Sequence, residues 1–173
     1  MNQLEKIAIA YSEEFDESYM IPDHQRRLIH KLIAFQFADK SNKVWFEFLP
    51  QEVYEYDKVA ELMPDFEKGK VIVNSTGNNS TFWGEAHNLM FRAIHDYIHV
   101  VNELDFNFEH EKEVYEWQLI DSLTMADKYE LRGVDWKLYS SIIRSEIVYQ
   151  AAVKTHYGTF HLTEQKIILK NLN

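Results

Sequence analysis

Apolar side chains return every three or four residues along most of this chain and tighten into short dense runs at two places. Leu4, Ile7, Ala8, Tyr11 and Phe15 keep the helical spacing, so the pattern predicts an amphipathic helix at the N-terminal end. Pro22 punctuates it. Asp23, whose carboxylate can accept from exposed backbone N–H groups, is placed to cap a second helix that turns Leu28, Leu32 and Phe35 inward, with Ile29 and Ile33 beside them. Residues 39–42 (Asp-Lys-Ser-Asn) read as a turn. The first dense run, residues 44–49, is aromatic and β-branched and reads as a strand ended by Pro50. Residues 54–63 fit one short helix stopped by Pro64, and the second dense run, 70–74, reads as a strand entered through Gly69. Two short strands flanking a helix imply a small ribbon at one side of a helical body.

A polar, glycine-bearing loop at 75–80 then delivers the chain into its most apolar helix, expected over 81–104, with Ser80 or Thr81 as cap and Glu85 in the first turn. Leu89, Met90, Ile94, Ile98, Val101 and Leu104 cover nearly its whole circumference, which implies burial. Asp105 and Asn107 mark a break. The next helix, 108–129, carries Val114, Trp117, Ile120, Leu123 and Met125. Gly133 interrupts, and Asp135 can cap a long last helix bearing Tyr139, Ile142, Ile143, Ile147, Ala151 and Val153, with Gly158 as its stop. One more short helix is expected in the tail. The aromatic residues Trp45, Phe46, Phe48, Trp83, Trp117 and Trp136 are assigned to the core. The expected fold is mainly α (α+β): a single domain over 1–173 with about six helices and a small two-stranded β-ribbon, and 173 residues suffice for a substantial core.

Chemistry concentrates in residues 85–116, which hold four of the eight histidines: His87, His95, His99 and His110. His95 and His99 are four apart with Asp96 between them, so on a helix both imidazoles reach one point in space. Two such imidazoles are half of a transition-metal site. The break at 105–107 turns the chain back, so that Glu111 or Glu113 in the following first turn can return to the histidines as a third ligand. Asp96 can orient a histidine, pair with Arg92, or activate a metal-bound water. His87, about 80° round the helix from His95 at 100° per residue, reads as a surface group, as does His110. Glu109, Glu113 and Glu116 suit a solvated face at a helix start. Glu146 on the last helix is a further candidate site residue, with pairing to Arg144 or Lys154 as its simpler reading.

Composition narrows the possibilities. With 28 acidic against 18 basic residues the formal net charge is −10, which opposes non-specific binding to nucleic acid or to an anionic membrane. The absence of cysteine excludes disulfides, thiolate metal sites and cysteine nucleophiles. The opening MNQLEKIAIAYSEEFDE places acids where a signal peptide needs an apolar run, and no apolar stretch approaches the roughly 20 residues that span a bilayer. A cytoplasmic protein is the expectation. Neither a phosphate-binding glycine loop nor a G-x-S-x-G elbow is present.

The run His95-Asp96-x-x-His99 with a later acid resembles the zincin metallopeptidase motif H-E-x-x-H. That resemblance implies zinc on His95 and His99, with Asp96 in the place of the general-base glutamate although one methylene shorter. A longer resemblance, carried by STGNNSTFWGEAHNLMFRAIHDYIH, FNFEHEKEVYEWQ and SEIVYQAAVKTHYGTF, is to uncharacterised bacteriophage proteins with an F-R-x-x-H-D-x-x-H core. There a glutamate and a glutamine seven apart follow the histidines; Glu111 and Gln118 match them, and Glu146 and Gln150 are further site candidates. His95-Asp96 is also similar to the His-Asp pair of HD phosphohydrolases, which implies a further histidine upstream (His30 or His87) and a downstream aspartate (Asp121 or Asp135). The ferritin-like E-x-x-H pattern is absent.

These readings combine into a metal-dependent hydrolase. His95, His99 and Glu111 are its expected ligands, Asp96 and Glu146 its catalytic candidates, zinc its expected metal with iron or manganese as alternatives, and a small molecule or peptide its substrate. Amide and phosphoester cleavage both fit. The alternative is a non-enzymatic, acidic phage or host-interaction protein whose histidine cluster is structural.

Overall fold

A computed structural model describes residues 1–50, 58–77, 80–158 and 165–172. Its elements run α1 (Gln3–Glu13), α2 (Asp23–Ser41), β1 (Trp45–Leu49), α3 (Met63–Phe66), β2 (Lys70–Asn74), α4 (Gly84–Asn102), α5 (Phe108–Lys128), α6 (Trp136–Arg144) and α7 (Gln150–Tyr157). A π-helical turn, Ser145–Tyr149, joins α6 to α7 without a break, so the two form the long last helix that the pattern predicts. The chain is mainly α with a small sheet, as expected.

α4 is the centre because two cores need it. Phe91, Ile94 and Ile98 face the large core built with α1, α2, α5 and the last helix, while Ala93 and Val100 face a smaller core over the sheet. From α2 the large core takes Ile29, Leu32 and Ile33, all fully buried, each contributing about 1.5–3 kcal/mol of apolar transfer. The inward face of α2 is rotated from the expected one: Phe35 is only half-buried, whereas Gln36, Asp39 and Lys40 are buried. Buried polar groups persist only with partners. Here Asp121 of α5 takes hydrogen bonds from Gln36 (2.6 Å) and Lys40, and Gln118 donates to Gln36 (3.3 Å). Asp23 lies in the first turn of α2, and Pro22 holds the N-cap position.

β1 and β2 pair in parallel, Trp45 opposite Lys70 through Leu49 opposite Asn74. Parallel neighbours require a crossover, and its described part holds a 3-10 turn (Val59–Glu61) and α3. Pro64 therefore starts α3 instead of ending a helix: its missing N–H is harmless in a first turn. The rest of the helix expected at 54–63 lies partly outside the described residues.

The described tail, 165–172, corrects the expectation of another helix. Its amides are taken by distant side chains in place of its own carbonyls: Ile167 N–H donates to Asp16 (3.0 Å), Leu169 to Glu17 (2.6 Å), Ile168 to Ser145 (2.9 Å) and Leu172 to Tyr149 (3.0 Å). Ile167 and Ile168 are fully buried. Two aromatic core assignments also fail: Trp45 (72% exposed) and Trp117 (45%) face outward. Phe15, expected on the apolar face of the first helix, is 84% exposed because α1 stops at Glu13. No helix among the described residues is long and apolar enough to cross a membrane.

Candidate metal centre

The helix carrying His95 and His99 starts later than its sequence suggests. Residues 81–83 form a turn in which the Ser80 hydroxyl accepts from Trp83 N–H (3.2 Å), and α4 begins at Gly84, whose φ of +67° a side chain would resist. At its other end Glu103 adopts φ 53°, the left-handed conformation that closes helices. Leu104 N–H then returns to the His99 carbonyl (3.0 Å), and the His99 Nδ1–H donates to the Leu104 carbonyl (2.8 Å). A carbonyl only accepts, so Nδ1 carries the proton and His99 Nε2 faces inward. The ring is fully buried, and Phe106 stacks on it with centroids 4.0 Å apart.

His95, one turn earlier, is held on its other nitrogen. Its Nδ1 lies 3.0 Å from Asp96 Oδ1 and its Nε2 points to the same place as that of His99, 3.2 Å away. Asp96 thus contacts the ring edge opposite to the convergence point, the contact of an orienting carboxylate. Arg92 donates to the carbonyls of Asn74 (3.1 Å), Thr76 (2.5 Å) and Gly77 (2.8 Å), tying the loop after β2 to α4.

Glu111 completes the group. Asn107 caps α5 by accepting from His110 N–H (3.1 Å), which fixes the first turn so that Glu111 points back at α4. Its Oε2 lies 2.9 Å from His95 Nε2 and its Oε1 3.4 Å from His99 Nε2. Glu113, the sequence alternative, is exposed, as are Glu109 and Glu116. His110 is not a simple surface group: its Nδ1 accepts from Asp105 N–H (2.9 Å) and helps to shape the turn.

One ligand atom each from His95, His99 and Glu111 lies within 4.8 Å of the others. A tetrahedral zinc ion with Zn–N and Zn–O near 2.0–2.1 Å sets its donors roughly 3.3 Å apart; the two Nε2 atoms stand 3.2 Å apart, and the carboxylate meets them with different oxygens, Oε2 at 2.9 Å from His95 and Oε1 at 3.4 Å from His99. Burial works against charge on His95 and Glu111, but their mutual attraction, with the Asp96 and His99 contacts added, prevails. It pushes the His95 imidazole up to about 10 and the Glu111 carboxyl down to about 2. His95 is the more open of the two candidate histidine ligands, its side chain 18% exposed against 0% for His99.

Glu146 stands outside this group, in the π-helical turn, and its carboxylate accepts from Gln150 (2.8 Å). Burial pushes its carboxyl up to about 8, opposed by the Arg92 charge, the Gln150 hydrogen bond and the nearby Trp83 indole. Neither Arg144 nor Lys154 supplies its described partner: Arg144 donates to Tyr115 (2.9 Å). His87, expected on the surface, is half-buried and stacks on His30 of α2 with centroids 4.2 Å apart. The HD-type expectation named His30, His87 and Asp121 as partners of His95-Asp96, but the two histidines stack on each other and Asp121 pairs with Gln36 and Lys40. The metal-ligand group among the described residues is His95, His99 and Glu111. The Gln36–Lys40 part of the buried Asp121 cluster was not foreseen. Gln36 and Lys40 at four-residue spacing on the α2 face were the available signal. Comparison with protein-family models, with curated proteins and with solved structures found no match.

Proposed function

We propose that this chain is a metal-dependent hydrolase in which His95, His99 and Glu111 bind one divalent ion, zinc foremost. The observation that carries the reading is the convergence of two Nε2 atoms 3.2 Å apart and a carboxylate that meets both, with the outer nitrogen of each imidazole already committed to Asp96 or to the Leu104 carbonyl. Such outer contacts fix the ring orientation that metal ligation needs. Three protein ligands leave a coordination position open, which is the pattern of catalytic zinc sites.

A bound zinc ion would supply Lewis acidity and lower the pKa of a bound water to about 7. The chain's own residues supply the rest. Asp96 acts as a positioning residue that holds His95. Phe106 covers His99 and keeps water from that face. The Asn107 cap keeps Glu111 in place. Amide and phosphoester bonds are both within the reach of such a centre.

A second reading is favoured by one observation: every ring nitrogen of His95 and His99 has a protein neighbour within hydrogen-bonding distance. On that reading the cluster is structural, in a non-enzymatic acidic interaction protein. Elemental analysis of protein purified without chelator, beside His95→Ala/His99→Ala, decides between them. Near-stoichiometric zinc, iron or manganese in the parent and none in the variant supports the metal centre. No metal in either, and none taken up from added zinc, overturns it.

A further inference from the structure

The turn before α4 is fastened to α2 by polar side chains as well as by apolar packing. Arg26 donates to the carbonyls of Ser18 (3.0 Å), Thr81 (3.2 Å) and Phe82 (2.9 Å), and its guanidinium lies over the Phe82 ring. One turn further along α2, His30 Nε2 lies 3.1 Å from the same Phe82 carbonyl. A carbonyl only accepts, so Nε2 carries a proton. Across the interface His87 of α4 stacks on this ring, centroids 4.2 Å apart and planes 22° from parallel, and its own N–H goes to the Trp83 carbonyl. Phe82 and Trp83, both buried, also contact His30, with ring centroids at 5.4 and 5.7 Å.

Each imidazole thus has one N–H on a backbone carbonyl, and the surroundings oppose a second proton on either ring. From α2 the pair meets the Arg26 guanidinium, from the turn two carbonyls and two aromatic rings, and within itself the other imidazole. No carboxylate among the described residues acts on either ring. Asp16, the acid tied to this turn, accepts from Thr81 and Ser18. Burial, then the His87 ring and Arg26, push the His30 imidazole down to about 4, against the Phe82 carbonyl. Burial pushes His87 down as well, against the Trp83 carbonyl. The arrangement is the reverse of that at His95, where two carboxylates hold the charge.

We propose that the His30–His87 stack is an acid-sensitive clasp: with both rings neutral it holds the 81–83 turn and the start of α4 against α2, and protonation releases them while the rest of the helical body stays assembled. A proton entering the closed stack sets a cation against Arg26 or the neighbouring ring, whereas one taken up after opening meets water. Acid therefore favours the open state. With His30 at about 4 when closed and 6.5 when released, the clasp is at full strength above about 6.5 and weakens as pH falls toward 4. Neither histidine belongs to the His95–His99–Glu111 group, so the clasp does not depend on a bound metal. Its opening would free the leading end of the helix that carries His95 and His99.

Amide hydrogen exchange of the full chain at about pH 7.5 and about pH 5, each rate referred to that of an unstructured peptide at the same pH, is the test. Protection at Trp83, Gly84 and Asn88 is expected to fall roughly 30-fold on acidification, the factor that values of 4 and 6.5 for His30 give at about pH 5. Amides of β2 and of the middle of α5 should keep theirs. In His30→Gln/His87→Gln, where glutamine retains an N–H for each carbonyl but takes no proton, the acid-dependent loss should vanish. Proton NMR titration of the His30 ring in the parent, which needs no variant to fold beyond the one that assigns the signal, should give a midpoint well below 6.5. A midpoint at or above 6.5, protection unchanged by acid, an equal loss in β2 and α5, or the same acid-dependent loss in the double glutamine variant would each overturn the clasp.

Discussion

His99 and Leu104 grip each other twice, Leu104 N–H on the His99 carbonyl at 3.0 Å and His99 Nδ1–H on the Leu104 carbonyl at 2.8 Å. The reversal that permits this passes through Glu103 at φ 53°. A left-handed conformation costs a non-glycine residue roughly 1–2 kcal/mol. Glu103→Gly should therefore stabilise the protein by about 1 kcal/mol in urea denaturation, less than the full strain because glycine also loosens the unfolded chain. A destabilised variant would show that the side chain of Glu103 contributes more than its backbone costs.

Asp96 touches the outer nitrogen of His95, so removing its charge should leave the fold intact and loosen the ligand. For Asp96→Asn a loss of about 10- to 100-fold in zinc affinity is expected, the usual range for an outer-contact residue. Competition with a chromophoric chelator measures it. Affinity equal to the parent's would remove Asp96 from the centre.

Zinc should stabilise the folded chain by mass action. Free zinc at about 100 times its dissociation constant corresponds to about 2.7 kcal/mol, visible as a concentration-dependent rise in melting temperature. His99→Ala should show no such rise. An equal rise in both would place the ion elsewhere.

Glu146 sets a pH dependence of opposite sign to that of an ordinary paired carboxylate. Its folded pKa, about 8, lies above the unfolded value of 4.5. Between those values the folded state holds a proton that the unfolded state has released. Its contribution to stability is therefore complete below about 4.5, falls as pH rises toward about 8, and is level beyond. The slope is at most about 1.4 kcal/mol per pH unit. Glu146→Gln should flatten that limb; denaturant midpoints of parent and variant at several pH values, diverging upward, are the expected result. Parallel midpoints would mean that the carboxyl is ionised in both states.

The break at Asp105 and Asn107 was legible in the chain, and with it the return of Glu111 to the histidines; caps were less so, since Asp135 caps α6 but Pro22 and Trp83 hold the N-cap positions expected of Asp23 and of Ser80 or Thr81. The His95–His99 spacing needed only helix geometry, and β2 was readable from its three consecutive branched residues. Less legible were features decided by distant parts of the chain. Leu28, Leu32 and Phe35 form a plausible face, but α2 turns instead toward Asp121, a partner 81 residues from Lys40. The strand at β1 was visible, yet nothing local revealed that its partner runs parallel. Glu146 was visible as a candidate, but its setting against Trp83 and Gln150 depends on a π-helical turn, which periodicity near 3.6 does not reveal.

The tail at 165–172 has a kinetic corollary. Its fastenings reach Asp16 and Glu17, with sequence separations of 151 and 152 residues, so they close loops that take in nearly the whole chain and cannot form until it is in place. Ser145 and Tyr149, which hold its other edge, lie in the π-helical turn. The docking of this segment is thus a late event in folding, and its reversal an early one. The exchange rates of the Ile167 and Ile168 amides should report how often the two ends of the protein part company while the helices around α4 remain assembled.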